Sequence, residues 1–173
     1  MEKIFYTEQN KYHDSTEAIR HILTEYFGVE NPRISRTETG KPYLIDTPLF
    51  FSVSHTDGLI FIAVSDCNVG IDAERNDRHV DYQKIIKRFP EDERALIRSS
   101  TDFLRHWTVK ESAVKWLGSS LSHDLRELRY GKDGVFYKEI PLPVYISFPN
   151  FKGYMLAVCG ERDFSNITPV IIQ

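Results

Sequence analysis

Between Leu49 and Glu74 the chain alternates short apolar runs with tight turns, leaving no interval long enough for an ordinary helix. The runs are Leu49–Ser54, Leu59–Ser65 and Val69–Glu74. They are separated by His55-Thr56-Asp57-Gly58 and Asp66-Cys67-Asn68. Turns this short favour antiparallel neighbours, so the stretch predicts a β-meander. A second β-rich stretch follows later, at 128–130, 135–137, 144–148, 154–159 and 170–172. Helical periodicity lies before and between the two. Apolar Ile19, Ile22, Leu23, Tyr26 and Phe27 follow a cap at Asp14 or Ser15 and stop at Gly28. Further helical stretches cover 81–89, 90–97 and 102–117, the last ended by Gly118, while 31–46 reads as a mostly polar connection with short extended pieces. The fold class expected is α+β.

Phe51–Val64 resembles Tyr145–Val158, both reading strand, turn, and a strand ending Ala-Val. This internal similarity suggests two related α+β halves, 1–71 and 72–173. No Gly-, Ser- or Pro-rich linker divides them, so they are expected to pack as one body.

At 173 residues with 41% hydrophobic and 27% charged side chains, the chain can bury a full core, and nothing in the composition argues for disorder. A net charge of −3 argues against a nucleic-acid binder, which needs clustered Lys and Arg. Cys67 and Cys159 are far apart and read as buried, reduced thiols. No apolar run reaches the ~20 residues that span a bilayer, and the polar 1–14 segment is unlike a signal peptide. The cytoplasm is the expected compartment.

Two segments carry chemistry. In Val69-Gly70-Ile71-Asp72-Ala73-Glu74, strand alternation puts Asp72 and Glu74 on one face and Val69, Ile71 and Ala73 on the other. Two carboxylates side by side suit a hard cation such as magnesium, or simply a solvated edge strand. Gly70 admits a close approach of backbone or ligand. In Trp107-Thr108-Val109-Lys110-Glu111-Ser112-Ala113-Val114-Lys115, Glu111 falls on the same helical arc as Leu104, Trp107 and Val114. A carboxylate there needs a partner or a metal. Lys115, one turn on, either bridges Glu111 or faces a phosphate. Three carboxylates plus a lysine suit phosphoryl transfer. No Walker loop, kinase glycine loop or dinucleotide fingerprint is present.

Val-Gly-Ile-Asp-Ala-Glu followed by Trp-Thr-Val-Lys-Glu-Ser-Ala-Val-Lys resembles the signature pair of the Sfp-type 4'-phosphopantetheinyl transferases. Gly40-Lys41-Pro42 and Phe51-Ser52-Val53-Ser54-His55 resemble two further family segments, so the likeness runs from about Asp14 to the C-terminus. It implies two similar α+β halves with coenzyme A between them. The reaction implied moves phosphopantetheine from coenzyme A to a serine of an acyl or peptidyl carrier protein and releases 3',5'-ADP. By the resemblance, Asp72, Glu74 and Glu111 match magnesium ligands, and Glu111 also matches the base for the serine. Lys115 matches the lysine that steadies pyrophosphate and leaving group. Lys41, Ser54 and His55 match contacts to the nucleotide end of coenzyme A, and Lys110 takes a supporting electrostatic role. A monomer is implied. The family's usual N-terminal segment, whose basic residues reach the coenzyme A phosphates, is expected to be shortened. Lys87, Arg88, Arg94 and Arg98 are candidates for meeting an acidic carrier helix. Competing readings are a non-catalytic coenzyme A or carrier binder and a magnesium-dependent phosphoesterase.

Overall fold

The computed structural model describes residues 1–120 and 124–172. In chain order the elements are β1 (Lys3–Glu8), α1 (Ser15–Phe27), β2 (Arg33–Arg36), β3 (Pro42–Ile45), β4 (Phe50–Thr56), β5 (Leu59–Ser65) and β6 (Val69–Arg75). Then follow α2 (Tyr82–Ile85), a 3-10 turn (Ile86–Arg88), α3 (Glu91–Arg94) and α4 (Ser100–Leu117). The chain ends in β7 (Leu128–Gly131), β8 (Gly134–Tyr137), β9 (Ile140–Pro141), β10 (Tyr145–Ser147), β11 (Tyr154–Gly160) and β12 (Val170–Ile171). The mixed α+β class is as expected. No helix among the described residues is long and apolar enough to cross a membrane.

Two sheets form the centre, ordered β12-β1-β5-β4 and β10-β11-β6. The expected meander therefore holds only for the β4–β5 hairpin: after the 66–68 turn β6 crosses to the second sheet and pairs with β11. In each sheet, a strand reached late in the chain sits between an earlier strand and its own hairpin partner. β5 pairs antiparallel with β1 and β4, and β11 pairs antiparallel with β6 and β10. The apolar pattern explains how the sheets stack. Ile60, Ile62 and Val64 of β5 pack with Phe5 against Ala18, Ile19, Ile22 and Leu23 of α1. Phe61 and Ala63 face the other way, onto Val69, Ile71, Ala73, Leu156 and Val158. Ala157 and Cys159 of β11 then meet Val109, Ala113 and Val114 of α4. The order through the molecule is α1, first sheet, second sheet, α4. β5 reads as an unbroken apolar run because both its faces are covered.

The same packing corrects the internal similarity residue by residue. Aligning Ala63 with Ala157 puts one in the layer between the sheets and the other against α4. A one-residue slip in a strand exchanges faces, so the two hairpins match as elements and not in that register.

β1 was not legible from the sequence, yet it lies inside its sheet between β5 and β12, with Ile4 and Phe5 fully buried. The two helical stretches read at 81–89 and 90–97 are much shorter, each a single α turn, with a 3-10 turn after the first. Pro90 ends the first and flanks the second. Residues 31–46 hold the β2–β3 hairpin. α1 and α4 end as expected at Gly28 and Gly118, both left-handed with φ of 65° and 70°.

Lys110 is not at the surface of α4. Its side chain is fully buried, 2.7 Å from Glu93 Oε2 of α3, and it donates to the carbonyl oxygen of Leu128. His106 Nδ1 lies 2.9 Å from the other Glu93 oxygen. Lys110 therefore ties α3 and residues 125–128 to α4. Removing one buried charge strands the other, so Lys110→Met should cost about 3–5 kcal/mol. The double replacement Lys110→Met/Glu93→Leu should recover most of that loss, measured by urea unfolding.

Candidate active site

β6 and α4 position the acidic groups. β6 turns Val69, Ile71 and Ala73 into the inter-sheet core, as alternation requires, leaving Gly70, Asp72 and Glu74 on the opposite face. At Gly70 the backbone of α4 comes so close that an added Cβ would lie 2.0 Å from the Ser112 carbonyl oxygen and 2.7 Å from the Trp116 nitrogen. The sequence left open whether backbone or ligand approaches there; it is backbone. This contact sets α4 directly over β6, and Glu111 and Lys115 reach the carboxylates from successive turns.

Ser54, His55, Asp72, Glu74, Arg78, Trp107, Glu111 and Lys115 line one cavity of about 390 Å3. Asp72 is only 6% exposed. Its Oδ1 accepts from Ser54 Oγ at 2.9 Å and from Lys115 Nζ at 2.8 Å, while its buried Oδ2 has no hydrogen-bond partner among the described residues. Lys115 Nζ also donates to the Ile71 carbonyl at 2.9 Å. Lys115 thus grips Asp72, and the i,i+4 bridge to Glu111 is not formed. Burial, reinforced by the negative charge of Asp72, pushes the Glu111 carboxyl up to about 7, with Lys115 opposing. Glu74 is held by the Arg78 guanidinium. Burial, then the nearby Lys115 charge, lowers the pKa of His55 and favours the neutral imidazole.

The two sheets meet at this site through serines. β6 is the last strand of its sheet, and its outward backbone groups would otherwise lack partners. Ser52 Oγ accepts from Ile71 N and Ser54 Oγ from Ala73 N, both at 3.1 Å. Ser54 therefore does two jobs, satisfying the edge of β6 and orienting Asp72.

Lys41 is not brought into this cavity. Its Nζ donates to Asn68 Oδ1 at 3.0 Å and to the Trp116 carbonyl at 3.3 Å, in a separate, largely apolar cavity beside the C-terminus of α4. Thr39 donates to the Gly118 carbonyl at 2.7 Å. The 37–41 loop thereby supplies partners and positive charge to the last carbonyls of α4. Sequence reading missed Arg78 altogether. It lies past the end of β6, where neither strand nor helix periodicity says which way a side chain points.

The donor set can be tested against a metal. It offers only carboxylate oxygens, the preference of a hard divalent cation. The Asp72 Oδ2 left unpaired among the described residues is an open acceptor facing this cluster, and Glu111 is raised by burial first and by the Asp72 charge second. Among the described residues, no three carboxylates, imidazoles or thiols are gathered tightly enough to hold a metal as they stand. The three carboxylates therefore fit magnesium in kind, and they would have to draw closer together to hold it.

Comparison with known proteins bears on the same segments. Residues 68–159, which span β6 to β11, match the model of the 4'-phosphopantetheinyl transferase superfamily. The 4'-phosphopantetheinyl transferase gsp of Aneurinibacillus migulanus is 30% identical over 167 residues, covering 89% of this chain and 69% of the relative. The 4'-phosphopantetheinyl transferase of Bacillus subtilis is 30% identical over 165 residues, covering 83% and 70%. The L-aminoadipate-semialdehyde dehydrogenase-phosphopantetheinyl transferase of Rattus norvegicus is 32% identical over 152 residues, covering 72% of this chain and 49% of its own. The match takes in both the strand that carries Asp72 and Glu74 and the helix that carries Glu111 and Lys115, and this chain belongs to the 4'-phosphopantetheinyl transferase superfamily.

Proposed function

We propose that this protein transfers the 4'-phosphopantetheine group of coenzyme A to a serine hydroxyl of an acyl or peptidyl carrier protein, with magnesium. The observation that carries the reading is the convergence of Asp72, Glu74, Glu111 and Lys115 in one cavity, from a strand and a helix nearly forty residues apart. Asp72, Glu74 and Glu111 would hold the metal. Bound there, magnesium supplies Lewis acidity toward the pyrophosphate oxygens. Glu111 accepts the proton of the carrier serine as a carboxylate of the site. The serine oxygen bonds to the β-phosphorus, the bond from that phosphorus to the bridging oxygen breaks, and 3',5'-ADP departs with the electron pair. Lys115, fixed by Asp72 and the Ile71 carbonyl, stands ready to donate to the leaving phosphate. His55, on the cavity wall, is assigned to the nucleotide side.

The same reading treats the molecule as two related halves, one built on β1, α1, β4 and β5 and the other on β6, α4, β10 and β11. Matching sheet orders support it. The division then falls at the turn before β6, a few residues ahead of the boundary drawn from sequence. All four reacting side chains come from one chain, so the proposed site needs no residue from a second copy.

Intact mass spectrometry of an apo carrier protein, incubated with the enzyme, magnesium and coenzyme A, provides the test. A gain of one phosphopantetheine group, lost on chelation, is expected. Coenzyme A binding without transfer to any of several carriers would refute the catalytic reading. Coenzyme A cleavage without an acceptor would point to a phosphoesterase instead.

A further inference from the structure

Arg78 is the one cation in the cavity that the proposed reaction leaves without a task. Its guanidinium contacts Glu74 Oε1, and among the described residues Glu74 is the carboxylate it pairs with. The two ends of this pair differ. Glu74 is anchored in the β6–β11 ladder and its side chain is 14% exposed, whereas Arg78 lies beyond the end of β6 with 47% of its side chain exposed. Arg78 also borders a second, open cleft of about 600 Å3, which Glu74 borders too and which is lined as well by His55, Arg75, Asp57 and Asp77. Arg75 is already committed there, to Asp57 and Asp77.

We propose that Arg78 is an exchangeable counter-ion: it holds Glu74 until the divalent cation arrives, then swings into the neighbouring cleft and binds a phosphate of coenzyme A. The inference rests on the functional reading above. A divalent cation and a guanidinium on the same carboxylate repel each other, so metal binding at Glu74 loosens Arg78. The released side chain is long and half-exposed and needs no change in β6. Its planar fork suits phosphate oxygens, with which it forms charge-assisted hydrogen bonds. Metal and substrate binding would then be coupled through one side chain.

The test needs no carrier protein and no turnover. Mn2+ is titrated calorimetrically into wild type, Arg78→Gln and Arg78→Lys, and coenzyme A is then titrated into each at saturating Mn2+. Loss of the competing guanidinium should tighten Mn2+ binding to Arg78→Gln by about fivefold, the size of a partly exposed ion pair. Coenzyme A binding to the same variant should weaken by roughly tenfold, the loss of a charged hydrogen bond. Arg78→Lys should regain part of both effects. Mn2+ affinity that is unchanged or weaker in Arg78→Gln overturns the exchange, as does unchanged coenzyme A affinity. Failure of the wild type itself to bind Mn2+ would remove the metal-dependent reading of the site, and this inference with it.

Discussion

Glu111→Gln should lower phosphopantetheine transfer by at least ~10^3-fold, because the amide neither accepts the serine proton nor ligates a divalent cation as a carboxylate does. The same substitution should stabilise the metal-free protein. The carboxyl titrates at about 7 in the folded chain against an ordinary value of 4.5. Between those pH values the folded state binds more protons than the unfolded one, so stability falls as pH rises through the interval. Above pH 7 the full penalty is present, and at ~1.4 kcal/mol per unit it amounts to roughly 3 kcal/mol. Glu111→Gln should therefore melt higher than wild type in chelator at pH 8 and show little gain near pH 4. Adding magnesium should raise the wild-type melting temperature and leave that of the variant unchanged. A variant that loses activity but keeps the magnesium-induced shift would leave Glu111 as a base and remove it as a ligand.

Gly70→Ala should be the most damaging single methyl group in the molecule. The new Cβ would meet backbone atoms of Ser112 and Trp116, and backbone has no rotamer with which to retreat. α4 would have to lift from β6, against the packing of Val109, Ala113 and Val114 on Ala157 and Cys159. Overpacking commonly costs 1–3 kcal/mol where side chains can give way; here about 4 kcal/mol or more is expected. Any folded fraction should transfer poorly, since the displacement separates Glu111 and Lys115 from Asp72. Chemical unfolding and transfer rate measured on the same preparation test both halves of this expectation. Full stability in Gly70→Ala would mean that the strand and helix are less tightly joined than the structure shows.

Much of the site was legible in the chain because two regular periods place its residues. Alternation in β6 is enough to put Asp72 beside Glu74, and the helical period of α4 separates Glu111 from Lys115 by one turn. The apolar residues on the opposite face of β6 then state which side is core. The helix ends were equally plain, since Gly28 and Gly118 adopt a left-handed conformation that other residues rarely reach. β1 escaped notice because Ile4-Phe5-Tyr6-Thr7 is only four residues long between Lys3 and Glu8, and β5 and β12 on either side make it a strand.

What the tertiary structure decided are the pairings between segments distant in sequence. Nothing in the pattern of α4 turns Lys110 inward to Glu93, or takes Lys115 to Asp72 instead of Glu111. Lys41 and Ser54 belong to the same class, one capping the end of α4 and the other holding the edge of β6. Arg78 follows no period at all. Periodicity reports which face a side chain occupies, because that follows from backbone geometry within one element. It does not report which polar group stands opposite. That depends on how the layers stack, and the stacking is set by apolar burial, which is non-directional and indifferent to the charges it brings together.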